Sequence, residues 1–160
     1  MNAYPRGSEW RKWDLHVHAP GSKLNDNYAA KGGQPDLERF CQLVHDSDVA
    51  VVAIADYFSL DSFFSTKAKY DELYADNKTL LLPNLELRLP VAVNAANQEV
   101  NLHLIFRPTL TRQEADKFLG RLKTAGTTGQ SRTAVTCADL ARQGDFESAT
   151  VSLEAINEAI

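Results

Sequence analysis

A continuous apolar run, Val49-Ala50-Val51-Val52-Ala53-Ile54, constrains the fold of this chain more than any other feature. An uninterrupted run of this kind is typical of a parallel strand that is covered on both faces, whereas a half-exposed strand alternates apolar with polar residues. Parallel strands need a crossover connection, which is usually a helix. The run therefore predicts an α/β fold with helices packed against a mainly parallel sheet.

The residues before this run have the pattern of such a crossover helix. An apolar stripe at positions i, i+3, i+4 and i+7 is formed by Leu37, Phe40, Cys41 and Val44. Asp36 is the predicted N-cap, since its side chain can accept a hydrogen bond from a free backbone N–H in the first turn. A second helix is predicted to begin at Asp61, after the strand.

The stretch Asp14-Leu15-His16-Val17-His18 predicts half of a metal site on the first strand. Alternate residues of a strand point to the same face, so both imidazoles and the carboxylate share one side. The backbones of His16 and His18 are then separated by roughly 6.6 Å, at about 3.3 Å per residue. Both rings can therefore reach one ion.

Two further strands contribute one candidate ligand each. The alternating segment Asn84-Leu85-Glu86-Leu87-Arg88-Leu89 places Glu86 and Arg88 on one face, and Val100–Phe106 is an apolar strand with His103 embedded in it. Ionisable side chains on apolar strands are costly to bury without partners. Several ionisable side chains on successive strands therefore predict a shared divalent ion. A set of imidazole and carboxylate ligands suits Zn, Mn and Fe alike.

The order of these motifs resembles the PHP (polymerase and histidinol phosphatase) family. The resemblance is carried by Asp14-x-His16-x-His18, an apolar strand ending in Asp56, Pro83-x-x-Glu86, and the isolated His103, and it covers roughly residues 6 to 107. Residues 6 to 20 are similar to the PHP module at the front of TrlF-type AAA-like ATPases. The resemblance implies a distorted β/α barrel with metal-dependent phosphoesterase activity.

The resemblance also implies roles for individual residues. His16, His18 and Glu86 would bind one ion, and Glu86 would bridge to a second ion also held by His103. Asp14 and Asp56 would orient the imidazoles, although a strand-end or helix-cap aspartate is the alternative for both. Arg88, on the face of Glu86, is a candidate clamp for the substrate phosphate, with an ordinary surface arginine as the alternative.

Some positions depart from the family pattern. Many members have a histidine after the second aspartate, where this chain has Tyr57, and a further ligand where it has Lys23 and Leu24. A third ion is therefore not expected. Asp26 is a conceivable substitute ligand, but its position favours an ordinary loop aspartate.

The family supplies another histidine to the second ion and a late aspartate to the first, but no histidine follows His103. Asp139 and Asp145 remain possible ligands, although their loop and cap contexts favour structural roles. We therefore expect an incomplete or truncated barrel of PHP type with a mostly helical C-terminal segment. The predicted division places the N-terminal part of the metal-binding barrel at residues 1–107, and a helical extension or insertion of the same domain at 108–160. Thr111 and Glu114 predict a capping box at the start of a helix that ends at Gly126.

Composition bounds the functional class. The formal net charge of −4 gives no support to a freestanding nucleic-acid clamp, and the two cysteines, Cys41 and Cys137, predict reduced thiols. The sequence shows neither a membrane span nor a signal peptide, so we expect a cytoplasmic protein. The expected cofactors are one or two divalent metal ions.

Three functions remain open on the sequence. The first is a metal-dependent phosphoesterase, a phosphodiesterase or nuclease module joined to a C-terminal ATPase region, with a role in phage defence. Its substrate would contain phosphate, and nucleic acid is a candidate. The second is a degenerate PHP-like module kept for structure or interaction. The third is an amidohydrolase-type metal hydrolase, whose barrels also begin with His-x-His.

Overall fold

The computed structural model describes residues 10–24, 36–75, 78–92, 99–125 and 135–160. Its strands are β1 (Lys12–His18), β2 (Val49–Tyr57), β3 (Leu80–Ala92), β4 (Glu99–Ile105), β5 (Lys123–Thr124) and β6 (Val135–Thr136). Its helices are α1 (Leu37–Asp46), α2 (Asp61–Leu73), α3 (Arg112–Leu119), α4 (Gln143–Ser148) and α5 (Leu153–Ala159). A short 3-10 helix spans Cys137–Asp139.

The main sheet has the strand order β1-β2-β3-β4. β1, β2 and β3 are parallel, and β4 returns antiparallel to β3. α1 and α2 provide the two parallel crossovers. The α/β class predicted from the apolar run is confirmed.

The predicted crossover helix is also confirmed. α1 begins at Leu37, and the Asp36 side chain accepts a hydrogen bond from the backbone N–H of Arg39. Three residues of its apolar stripe are buried: Phe40, Cys41 and Val44. They pack with α2 against β2 and β3.

The two faces of the sheet differ in chemistry. The register pairs Val52 with Leu81 and Asp56 with Leu85, and the apolar side chains of this face lie in the core beneath the helices. On the other face, Ala55 pairs with Asn84, and Tyr57 with Glu86. Strand alternation thus places Glu86 and Arg88 of β3 on the face opposite the apolar core, whereas Asp56 shares the face of Val52.

The main sheet is curled toward its polar face. Strands β1 and β4 are three spacings apart, which would be roughly 14 Å in a flat sheet. The ring centroids of His16 on β1 and His103 on β4 are nevertheless 4.4 Å apart. A curled four-stranded sheet with helices on its outer face is compatible with the truncated barrel predicted from the sequence.

Two boundaries differ from the sequence prediction. The sequence predicts that Pro90 interrupts the strand of Glu86, but Pro90 lies within β3, at a shift in the β3–β4 register between Leu89 and Ala92, where a missing N–H is tolerated. α3 ends at Leu119 and not at Gly126, which lies outside the described residues. Beyond the end of the helix, the Leu122 carbonyl accepts a hydrogen bond from the N–H of Cys137.

The segment after residue 107 packs directly on the sheet. Its buried residues, among them Ala115, Phe146 and Val151, form one hydrophobic cluster with Leu85 and Leu87 of β3. Most of its described elements are helical, as expected, while the small β5–β6 sheet was not predicted. Among the helices described, none combines the length and the apolar character needed to cross a membrane.

Candidate metal centre

Three side chains from two strands converge at the polar face of the sheet. Nε2 of His16 lies 3.1 Å from Nε2 of His18 and 3.1 Å from Oε2 of Glu86. Nε2 of His18 lies 3.2 Å from the same Glu86 oxygen. The structure thus brings together three of the four predicted ligands in a group that could hold a metal ion.

The backbone explains how β1 delivers both rings. Pairing with β2 is shifted between Asp14 and Val17, so strict alternation does not hold over this stretch. His18 pairs with Ala55, a residue with no exposed surface and a small side chain.

The hydrogen bonds of His18 determine which of its nitrogens faces the centre. Nδ1 lies 3.1 Å from the hydroxyl oxygen of Ser22, and this hydroxyl donates to Oδ1 of Asp56 at 3.0 Å. Oδ1 of Asp56 also accepts from the backbone N–H groups of Lys23 and Tyr57, so it is an acceptor. Because a serine hydroxyl has one hydrogen, Ser22 can only accept from His18. In neutral His18 the proton is therefore on Nδ1, and the Nε2 lone pair points toward Glu86.

The two aspartates predicted to orient the imidazoles have different contacts. Asp56 is fully buried and acts on His18 through Ser22. Burial raises the pKa of Asp56, against the hydrogen bonds from Lys23 and Ser22, which lower it. Asp14 is exposed, and its Oδ1 lies 3.3 Å from the backbone nitrogen of His16. Its contact is thus with the β1 backbone.

His103 lies beside this group, and its ring is oriented by Asn84. The Asn84 amide donates from Nδ2 to the carbonyl of Leu15 at 2.7 Å, which turns Oδ1 toward Nδ1 of His103 at 3.1 Å. An amide oxygen only accepts, so Nδ1 of His103 holds a proton. Nε2 then faces Glu86 and lies 4.0 Å from Oε1.

Charge and burial shift the pKa values at the centre. Burial lowers the pKa of His103, and the neighbouring imidazoles act in the same direction. Burial alone would raise the pKa of Glu86, but the interactions with the imidazoles of His18, His16 and His103 outweigh it, so the pKa is lowered. The carboxylate form of Glu86, which a metal requires, is therefore favoured.

The donor set fits a divalent ion. Neutral His18 and ionised Glu86 present acceptors 3.2 Å apart, so a cation, either a proton or a metal ion, must lie among the three side chains. Ligand atoms about 2.0–2.1 Å from a tetrahedral zinc ion lie roughly 3.3 Å apart. The observed separations of 3.1 to 3.2 Å are close to this value.

The remaining sequence candidates lie around the centre or outside the described residues. One guanidinium nitrogen of Arg88 donates to the carbonyl of Glu147 in α4, so this side chain links the sheet to the C-terminal segment. Tyr57 stacks on His18, with ring centroids 5.3 Å apart and planes inclined by 14°. Asp26 lies outside the described residues. Asp139 and Asp145 cap the helical turns that follow Thr136 and Arg142.

Sequence reasoning missed three supporting residues: Ser22, Asn84 and Asn101. The side-chain amide of Asn101 donates to Oε1 of Glu86 at 2.6 Å. The only sequence signal for Asn84 and Asn101 is their spacing, since each lies two residues from a candidate ligand on the same strand. For Ser22, which follows a turn, we find no signal.

Comparisons with known proteins give one structural likeness to report. No family model and no curated protein matches the sequence significantly. A solved structure titled as a putative metal-dependent phosphoesterase from Bifidobacterium adolescentis matches with a TM-score of 0.41 at 18% sequence identity. The match covers 70% of this chain and 35% of that one, so this chain spans about a third of the length of that structure. The function must therefore be argued from the site itself.

Proposed function

We propose that this chain is a metal-dependent phosphoesterase domain of PHP type. The observation that carries the proposal is the triangle formed by Nε2 of His16, Nε2 of His18 and Oε2 of Glu86, with His18 fixed in the tautomer that a metal ligand needs. This geometry supports a metal site, and the order of the motifs along the sequence supports the phosphoesterase class.

His16, His18 and Glu86 would hold the ion. A divalent ion there supplies Lewis-acid stabilisation of negative charge on a phosphate oxygen and a lowered pKa for water. Ser22 and Asp56 keep the proton of neutral His18 on Nδ1, which leaves Nε2 available. Asn84 does the same for His103, whose Nε2 faces the centre. His103 is thus placed to accept a proton at that atom or, as the resemblance implies, to bind a second ion with Glu86.

We assign the binding of the substrate phosphate to Arg88, whose guanidinium carries several N–H donors. One guanidinium nitrogen of Arg88 contacts the Glu147 carbonyl, and a guanidinium can contact a phosphate in bidentate fashion. About half of the His16 side chain (51%) is exposed, so the centre can be reached from the side of this ring. Arg88 as a phosphate clamp remains a prediction from the sequence.

The narrower assignments rest on the similarity of residues 6 to 20 to TrlF-type proteins. They are a nuclease acting on nucleic acid, a C-terminal ATPase region in the same protein, a role in phage defence and a cytoplasmic location. We carry them as proposals.

The test combines metal content with substrate class. The purified chain is loaded separately with Zn²⁺, Mn²⁺ and Fe²⁺, its metal content is measured by mass spectrometry, and hydrolysis is followed on bis(p-nitrophenyl) phosphate, p-nitrophenyl phosphate and p-nitroacetanilide. We expect stoichiometric metal and hydrolysis of a phosphoester but not of the anilide. His18→Gln should lose most of the metal, whereas His45→Gln should retain it, because His45 stacks on Tyr74, just after α2.

Each contrary outcome identifies an alternative. Equal metal in His18→Gln and the unsubstituted protein would reject the proposed ligands. A folded protein that takes up no metal would favour the degenerate interaction module. Hydrolysis of the anilide with no phosphoester cleavage would favour an amidohydrolase-type enzyme.

A further inference from the structure

The two oxygens of the Glu86 carboxylate have different partners. Oε2 faces the imidazoles of β1, while Oε1 accepts the short hydrogen bond from Asn101. Glu86 has no exposed surface, whereas Asn101 lies exposed on the neighbouring strand, where it pairs with Arg88. The Asn101 amide thus extends from an exposed position on β4 toward the buried Glu86 and hydrogen-bonds one of its carboxylate oxygens.

The orientation of this amide follows from its partner. The Glu86 carboxylate accepts hydrogen bonds only, so the NH₂ group of Asn101 must face it, and the reverse orientation would place two oxygens against each other. A donor at this position also favours the charged form of the carboxylate.

The position of His103 argues against a second tetrahedral ion at Oε1. Nε2 of His103 and Oε1 of Glu86 are 4.0 Å apart, and the contact with Asn84 orients the imidazole. With metal–ligand bonds of about 2.0–2.2 Å, an ion bound to both atoms would have to lie almost on the line between them. Only trans ligands of a five- or six-coordinate ion have this geometry, so a tetrahedral ion such as Zn²⁺ cannot bind both atoms as they are placed.

We propose that Asn101 is a positioning residue that reserves Oε1 of Glu86, so that the carboxylate presents Oε2 alone and the centre binds one divalent ion. This inference rests on the proposed function, because it concerns the ligand set of the same centre. It replaces the two-ion arrangement that the sequence resemblance implies.

Isothermal titration of the full chain with Zn²⁺ and with Mn²⁺ tests the stoichiometry. We expect one ion per chain. Two ions per chain, with both binding steps lost in His16→Gln, would overturn the inference and leave the proposed metal centre intact. Absence of binding by the folded chain would overturn the proposed function and the inference with it.

The role of Asn101 is tested by Asn101→Ala against Asn157→Ala, which removes an exposed asparagine of α5. Loss of a residue that orients a ligand typically lowers metal affinity about 10–100-fold. We expect this loss for Asn101→Ala alone, with equal melting temperatures of the metal-free proteins. We also expect an altered visible absorption band of bound Co²⁺, because the freed carboxylate can bind through both oxygens. An unchanged affinity and an unchanged Co²⁺ spectrum would show that Asn101 does not position Glu86.

Discussion

Oδ1 of Asn84 lies 3.1 Å from Nδ1 of His103, and the same amide donates to the carbonyl of Leu15. Asn84 itself has no exposed surface. One buried side chain on β3 therefore orients a ring on β4 and connects to the backbone of β1. Both contacts cross the curled sheet on the face that carries the candidate centre.

Replacing Asn84 with Leu should destabilise the fold, because the volume is nearly kept while two polar groups lose their partner. Leaving buried polar groups unsatisfied costs about 1–3 kcal/mol. We expect a loss of this size in the free energy of unfolding, measured by urea denaturation, and a changed ¹⁵N shift for the His103 ring. Asn157→Leu serves as the exposed control. Equal stability of the two variants would contradict the assigned role.

The unequal contacts of the two aspartates predict unequal effects on metal affinity. Ser22→Ala and Asp56→Asn both disrupt the hydrogen-bond chain that fixes His18, so each should weaken Zn²⁺ binding by about 10–100-fold. Asp14→Asn should have a smaller effect, because its contact is with the backbone of His16. Titration calorimetry measures all three, with the exposed Ser65→Ala as the control. Similar losses for Ser22→Ala and Asp14→Asn would refute the distinction.

The two cysteines should be unreactive in the folded protein. Burial raises the pKa of Cys41 to about 11 and that of Cys137 to about 12. At pH 8 we therefore expect slow labelling of the native chain by a disulfide reagent and rapid labelling of two thiols after unfolding. Rapid native labelling at both positions would contradict the burial of these side chains.

The raised pKa values of the same two thiols also predict how the stability of the fold changes with pH. The folded pKa values exceed the ordinary value of 9.0. The contribution of the two thiols to the free energy of unfolding is therefore fully present below about pH 9 and is lost as the pH rises toward 11 to 12. The free energy of unfolding should therefore fall more steeply above pH 9 than it does for Cys137→Ala. Parallel pH profiles for the two proteins would count against a raised pKa at Cys137.

The capping box of α3 provides a local stability test. The Thr111 hydroxyl accepts from the N–H of Glu114, and the Glu114 carboxylate accepts from the N–H of Thr111. Thr111→Ala should lower the free energy of unfolding by about 0.5–2 kcal/mol, since replacing an N-cap residue leaves a backbone donor unsatisfied. Thr109→Ala, an exposed position just before the helix, is the control for thermal denaturation. No difference between the variants would mean that the cap contributes nothing to the fold.

The parts predicted correctly from the sequence depend on short-range patterns. The apolar run of β2, the stripe of α1 and the capping box at Thr111 all involve residues within a few positions of each other. His16 and His18 were recognisable as a pair because they stand two residues apart in one predicted strand. Glu86 was a candidate because a lone carboxylate interrupts an apolar pattern.

The parts not predicted depend on contacts made by folding. Ser22 lies 34 residues from Asp56, and Asn84 lies 69 residues from Leu15, so no local pattern joins these pairs. The 4.0 Å separation of His103 and Glu86 depends on the curl of the sheet and on the β3–β4 register. The end of α3 was misplaced because a long-range hydrogen bond to Cys137 determines where the chain turns away.

The position of β1 has a consequence for the dynamics of the centre. In the part of the chain that the structure describes, β1 lies at the margin of the main sheet, with its hydrogen-bonded neighbour β2 on one side. His16 and His18 nevertheless reach beyond β2 to Glu86 on β3. A divalent ion at this centre would tie the outermost strand β1 to β3. Amide hydrogen exchange in β1 should therefore slow on metal loading, and a chelator should restore the faster exchange.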